Sequence, residues 1–80
     1  MDAFDDVMPL MKEIETDSTV PKNVRFKVKE AVVCLMGEEE VDIKSCRVIE
    51  ALDLLSDDIN LPSYTRAQIW QIISLLESRT

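Results

Sequence analysis

A nine-residue pattern occurs twice in this chain: Asp17-Ser18-Thr19-Val20-Pro21 with Arg25 returns as Asp58-Ile59-Asn60-Leu61-Pro62 with Arg66, 41 residues later. The register continues on both sides. Upstream, Val7, Met8, Met11 and Ile14 correspond to Val48, Ile49, Leu52 and Leu55; downstream, Val28, Val32 and Leu35 correspond to Ile69, Ile73 and Leu76. A period of this size, with helical spacing of apolar residues before and after a proline, marks a duplicated helix–turn–helix unit. The expected fold is all-α: a four-helix bundle built from two repeated antiparallel helix hairpins. One domain spans residues 1–80, with halves near 1–37 and 42–80. Two repeats make a poor open solenoid, because each has one neighbour to cover its apolar face. A closed bundle is therefore expected.

The single glycine and three prolines leave little room for strands joined by tight turns. Sixteen acidic residues against nine basic ones give a net charge of −7, which works against binding a polyanion. The same charge favours a basic partner, or a basic face on a larger assembly. No signal-like segment opens the sequence, and no apolar run approaches the roughly 18–20 residues of a membrane span. A cytoplasmic protein without membrane contact is expected. Cys34 and Cys46 fall on different helices, and with no histidine in the chain they cannot complete a structural zinc site. In a reducing cytosol they are expected to be free, structural thiols.

The first helix is expected from about Ala3 to Thr16, with Val7, Leu10, Met11 and Ile14 inward, joined by Ala3 or Phe4. Pro9 lies inside that span and should bend the helix or disturb its first turn. The second is expected from Pro21, at the first helical position, to about Met36, with Gly37 in a left-handed C-terminal conformation. Its inward stripe is Val24, Val28, Ala31, Val32 and Leu35. Glu38-Glu39-Glu40 reads as a solvated link, and Asp42 as the N-cap of a third helix reaching about Ser56 through Val48, Ala51, Leu52 and Leu55. The fourth helix starts at Pro62 and turns Thr65, Ile69, Ile72, Ile73 and Leu76 inward.

The turn pattern, acid–x–x–apolar–Pro–x–x–x–Arg ahead of an amphipathic helix, is similar to that of HEAT-type helical repeats, where acid and arginine pair in a ladder. The two turns, the acidic link and the stretch Arg66-Ala67-Gln68-Ile69-Trp70-Gln71-Ile72-Ile73-Ser74-Leu75-Leu76-Glu77 together resemble the uncharacterised archaeal protein family 0147. The resemblance runs from Ile14 onward and is most specific between Asp58 and Glu77. The chain departs from the family pattern at Tyr64, where a small polar residue or histidine is usual. It also departs at Asp58-Ile59-Asn60, where a proline is commoner after the acid. The resemblance implies an archaeal origin and a helical bundle, and no chemistry.

Asp17, Pro21, Arg25, Asp58, Pro62 and Arg66 are read as structural turn residues. Each aspartate is expected to accept hydrogen bonds from its turn's backbone and from an arginine. Catalysis has little support: without histidine there is no imidazole base, and one glycine cannot make a phosphate loop. No catalytic residue, metal ligand or cofactor is assigned, and the chain is expected not to be an enzyme. Phe26 and Val33 on the second helix lie opposite the core stripe, as do Ile43 and Leu54 on the third. On the fourth, Tyr64 and Leu75 should be exposed and Trp70 should sit at the core's flank. Several helices carrying a second apolar line suggest a contact surface. Phe26, Val33, Tyr64, Trp70 and Leu75 are its candidate residues. The preferred function is a small interaction or accessory module that docks a protein partner or a second copy of itself, with Phe26, Val33, Trp70 and Leu75 filling a groove. The alternative is a ribonucleoprotein-bound factor that touches the protein component, since direct nucleic-acid contact is not expected.

Overall fold

The computed structural model describes residues 4–78. It contains four helices, α1 (Met8–Glu15), α2 (Lys22–Leu35), α3 (Val41–Leu55) and α4 (Ser63–Glu77), and no strand among the described residues. Each helix packs on two others: α1 on α2 and α4, and α3 on α2 and α4, with no pairing across either diagonal. The dimensions of 32 × 19 × 17 Å fit a two-by-two arrangement, since one helix with its side chains is about 10 Å across. The contact of α1 with α4 closes the ring, as a bundle requires and an open stack does not.

Helical spacing explains which residues fill the centre. Val24, Val28, Ala31, Val32 and Leu35 of α2 are buried, as are Ile69, Ile72, Ile73 and Leu76 of α4. Val48 and Leu52 of α3 and Met11 and Ile14 of α1 complete the interior, with Val20 and Leu61 sealing the two turns. Full burial of a Val, Leu or Ile side chain contributes about 1.5–3 kcal/mol, so these stripes hold the bundle together. Ala51 and Leu55, expected inward, are half-buried.

Several helix ends differ from expectation. The start expected at Ala3 lies outside the described residues, and α1 begins only at Met8, with Pro9 in its first turn. Proline has no N–H to give to a carbonyl four residues earlier and crowds that carbonyl, so a helix cannot run through it undisturbed. Residues 4–7 instead form a turn in which the Val7 and Met8 N–H groups both donate to the Phe4 carbonyl, at 3.1 and 3.0 Å. Phe4 is thereby tucked inward, 1% exposed. Pro21 and Pro62 stand one position earlier than expected, as N-caps with extended ψ of 144° and 146°. There their carbonyls accept the first helical hydrogen bonds, from Arg25 N–H at 3.0 Å and Arg66 N–H at 3.1 Å. Asp42 is likewise not a cap. Glu40 holds that position without a side-chain bond, and Asp42 sits in the first turn of α3, where a carboxylate suits the helix dipole.

Gly37 does not adopt a left-handed conformation; no residue described has positive φ. Its lack of a side chain serves close approach instead, since a Cβ there would lie 3.2 Å from the Cys34 carbonyl oxygen. The C-terminus of α2 is capped from outside, by Lys44 of α3. Its ammonium donates to the carbonyls of Leu35 at 3.1 Å and Gly37 at 3.0 Å, and lies 5.4 Å from the centre of the Phe4 ring. One cation thus complements the α2 dipole and joins α2 and α3 to the N-terminal turn.

Candidate functional site

The two turns hold the repeated polar residues, and their backbones follow one scheme. Asp17 N–H donates to Ile14 and Val20 N–H to Asp17; 41 residues on, Asp58 N–H donates to Leu55 and Leu61 N–H to Asp58. One carboxylate oxygen of each aspartate accepts the N–H two residues ahead, from Thr19 and from Asn60, both at 2.9 Å. These are Asx turns, in which a short acid side chain replaces a backbone acceptor.

The arginines do not bond to the aspartate carboxylates as expected; their partners are backbone carbonyls. Arg25 Nε donates to the Val20 carbonyl at 3.1 Å. Arg66 Nε donates to the Ser56 carbonyl at 3.0 Å, and its NH2 group to the Asp58 carbonyl at 2.9 Å. Each Asx turn uses one carboxylate oxygen, while the Val20 and Ser56 carbonyls lie at turns where no helical N–H reaches them and need donors. A guanidinium supplies several donors in a fixed plane and meets that need.

The first turn carries a further link. Tyr64, from the start of α4, donates its hydroxyl to Asp17 Oδ2, and Thr19 donates its hydroxyl to Asp17 Oδ1 at 2.6 Å. The hydroxyls of Thr19 and Tyr64, the Thr19 N–H and the Arg25 charge together hold the Asp17 carboxyl below its ordinary 3.8. Tyr64, expected at a free surface, is 52% exposed yet spans from one turn to the other. A residue 47 positions from Asp17 in sequence gives no local signal of this partnership.

The apolar candidates separate as well. Phe26 is 61% and Val33 63% exposed. Trp70 is 47% exposed, at the flank of α4. Leu75, expected outward, is half-buried and packs against the core. Its counterpart 41 residues earlier, Cys34, is also half-buried, so the bundle covers this flank in both halves. Since α2 and α4 occupy opposite corners of the ring, Phe26 and Val33 do not share a groove with Trp70 and Leu75. Ile43 and Leu54 are exposed on α3, and Met36, just past the last residue of α2, is a further exposed apolar residue.

Register equivalence isolates what is particular to α2. Its buried Val24, Val28, Ala31, Val32 and Leu35 answer to the buried Thr65, Ile69, Ile72, Ile73 and Leu76 of α4. On the outer side the equivalence ends, for Phe26 answers to Ala67, Val33 to Ser74, Lys22 to Ser63 and Lys29 to Trp70. The bundle therefore accommodates small or polar residues where α2 carries Phe26 and Val33. Concave surface lies beside both, between Phe26, Lys29, Glu30 and Val33, and again between Phe26, Lys22, Arg25 and Glu15. Among the described residues no group of three or more Cys, Asp or Glu is placed to hold a metal ion, and no helix is long and apolar enough to cross a membrane.

Fold and surface together define a class: a small all-α four-helix domain with structural polar turns and one helix whose outer face is apolar and basic. The chain belongs to the Uncharacterised protein family (UPF0147), whose sequence profile matches residues 1–78. It is 46% identical to the UPF0147 protein MJ1419 of Methanocaldococcus jannaschii over 71 residues, covering 85% of this chain and 74% of the relative. It is 40% identical to the UPF0147 protein TV0625 of Thermoplasma volcanium over 76 residues, covering 94% and 85% of the two chains. The crystal structure of a UPF0147 protein from Thermoplasma acidophilum matches with a TM-score of 0.92 and 36% identity, over 96% of this chain and 92% of that one. These matches support the four-helix fold, and their names specify no reaction or partner.

Proposed function

We propose that this chain is a small cytoplasmic protein–protein interaction or accessory module, without catalytic activity of its own, that docks through the outer face of α2. The observation that carries the reading is the pair Phe26 and Val33, 61% and 63% exposed, at positions where α4 has Ala67 and Ser74. An aromatic and a β-branched residue left in water on a helix whose core is already complete are consistent with a contact surface. Burying both on association contributes about 3–5 kcal/mol gross, which sustains a complex only together with further contacts. The basic residues around the pair and the exposed Met36 are available to supply them. The expectation of one groove shared with Trp70 and Leu75 gives way to a single-helix face.

Crosslinking capture from archaeal lysate tests this. The chain and its Phe26→Ser/Val33→Ser variant are used side by side, and recovered protein and RNA are scored separately. The reading expects discrete protein partners that are lost with the variant. Recovery of RNA in their place, unaffected by the variant, would favour a ribonucleoprotein-bound factor and overturn it.

A further inference from the structure

We infer that the occupant of the α2 face is an acidic amphipathic helix, one that lays an apolar stripe along Phe26 and Val33 and sets carboxylates against Lys22 and Lys29. The inference rests on the docking reading above and adds the chemistry of the partner.

Charge distribution carries it. The chain has a net charge of −7, yet α2 holds Lys22, Arg25, Lys27 and Lys29 against the single acid Glu30. Helical geometry places Lys22 and Lys29 on the same side of the Phe26–Val33 line, about 40–60° around the axis from Phe26. Neither lysine is ion-paired among the described residues, whose bridges are Lys27–Glu30 at 3.7 Å and Arg47–Glu39. The one acid beside the line is thus already faced by Lys27, on the other side of the line from the two unpaired ammonium groups. Glu15, at the edge of the concave surface next to Lys22, is the other acid nearby.

Spacing sets the shape of the occupant. Phe26 and Val33 are seven residues apart, two helical turns or about 10.5 Å along the axis. That separation matches the i, i+3 or i+4, i+7 anchors of an opposing helix, with the hollow between Phe26, Lys29, Glu30 and Val33 to receive a side chain between them. A basic partner, suggested by the overall charge, would be repelled at this face and drawn to other surfaces. Two copies meeting α2 to α2 in antiparallel fashion would bring like-charged lysines together along one edge of the contact. The corresponding side of α4 has Ser63, Ala67, Gln71 and Ser74, with Trp70 in place of Lys29, and so lacks the anchor pair and the charges.

The test uses the full chain and two fluorescent synthetic helical peptides with the same leucine stripe, one flanked by glutamates and one by lysines. Fluorescence anisotropy should show the glutamate peptide binding at least about tenfold more tightly. Its affinity should fall steeply with salt and weaken by about tenfold or more in Lys22→Glu/Lys29→Glu. The Phe26→Ser/Val33→Ser variant should abolish binding, with circular dichroism confirming that both variants are folded. Preference for the lysine peptide, lost in Phe26→Ser/Val33→Ser, would overturn the acidic occupant and leave the docking face standing. Sedimentation of the chain alone adds a second such outcome: self-association lost in that variant makes a second copy the occupant. Binding of neither peptide, or binding indifferent to Phe26 and Val33, would overturn the docking face itself.

Discussion

Helices α2 and α4 stand 41 residues apart in register and present nearly the same inner face, but their outer faces differ in kind. Inward, every buried position of one has a buried counterpart in the other: three differ in size, with valine or alanine in α2 against isoleucine in α4, and one differs in polarity, Val24 against Thr65. Outward, α2 is basic and carries Phe26 and Val33, while α4 places Ala67 and Ser74 at the same positions. The inner set is dictated by packing, since each residue must fill space beside its neighbours in the ring. No packing requirement explains the outer set of α2. The shared 41-residue register therefore acts as an internal control: what the halves share is explained by the fold, and what only one half has calls for another reason.

The turns show the same division at smaller scale. Both build one Asx frame, but in the first the aspartate makes the additional contacts, and in the second the arginine does. Arg66 donates to two carbonyls where Arg25 donates to one. Arg66→Ala is therefore expected to destabilise the chain by about 2 kcal/mol and Arg25→Ala by about 1 kcal/mol. Urea denaturation of the two variants checks the order, and equal losses would break the contrast.

A second contrast lies in the core, where Thr65 answers to Val24. The Thr65 hydroxyl is fully buried and has no hydrogen-bond partner, which a valine of the same shape would not require. Thr65→Val is expected to stabilise the chain by about 1 kcal/mol, read as a higher denaturation midpoint. A loss of stability would mean that the hydroxyl has a partner after all.

Tyr64→Phe removes one of the hydroxyls that lower the Asp17 pKa, so that carboxyl should titrate closer to 3.8 in the variant, by carbon-13 NMR. The sign follows from the depressed folded value. Asp17 contributes stability that is fully present above 3.8 and is lost as pH falls through its lower folded pKa. The variant should accordingly lose some stability at neutral pH and differ less from the parent in strong acid. An unmoved Asp17 titration would remove the link between the turns.

Much of this was legible in the residues. Helical period found the inward positions of α2 and α4, because period reports direction within one helix. It is blind to what lies across from a side chain. Lys44 caps α2 from the next helix and Tyr64 reaches the opposite turn, and neither contact has a spacing that betrays it. Leu75 departs from expectation for the same reason: it packs against the core on a flank that the period of its own helix leaves outward. Opposite charge points the arginines to the carboxylates, but the turn carbonyls, those of Val20 and Ser56 among them, take their donors instead. Pro9 signalled irregularity, and only the turn at Phe4 shows how it is resolved. Phe26 and Val33 were placed outward correctly, whereas their separation from Trp70 and Leu75 needed the order of helices around the ring.

The central claim is that the outer face of α2 is not required by the fold. Urea denaturation of Phe26→Ser/Val33→Ser beside Ile69→Ala, in dilute solution, tests it most directly. The double variant is expected to stay within about 0.5 kcal/mol of the parent, as surface changes do. Ile69→Ala, which empties a fully buried site, should lose about 2–4 kcal/mol. A loss in the double variant comparable to that of Ile69→Ala would place Phe26 and Val33 in the folding core and contradict the account.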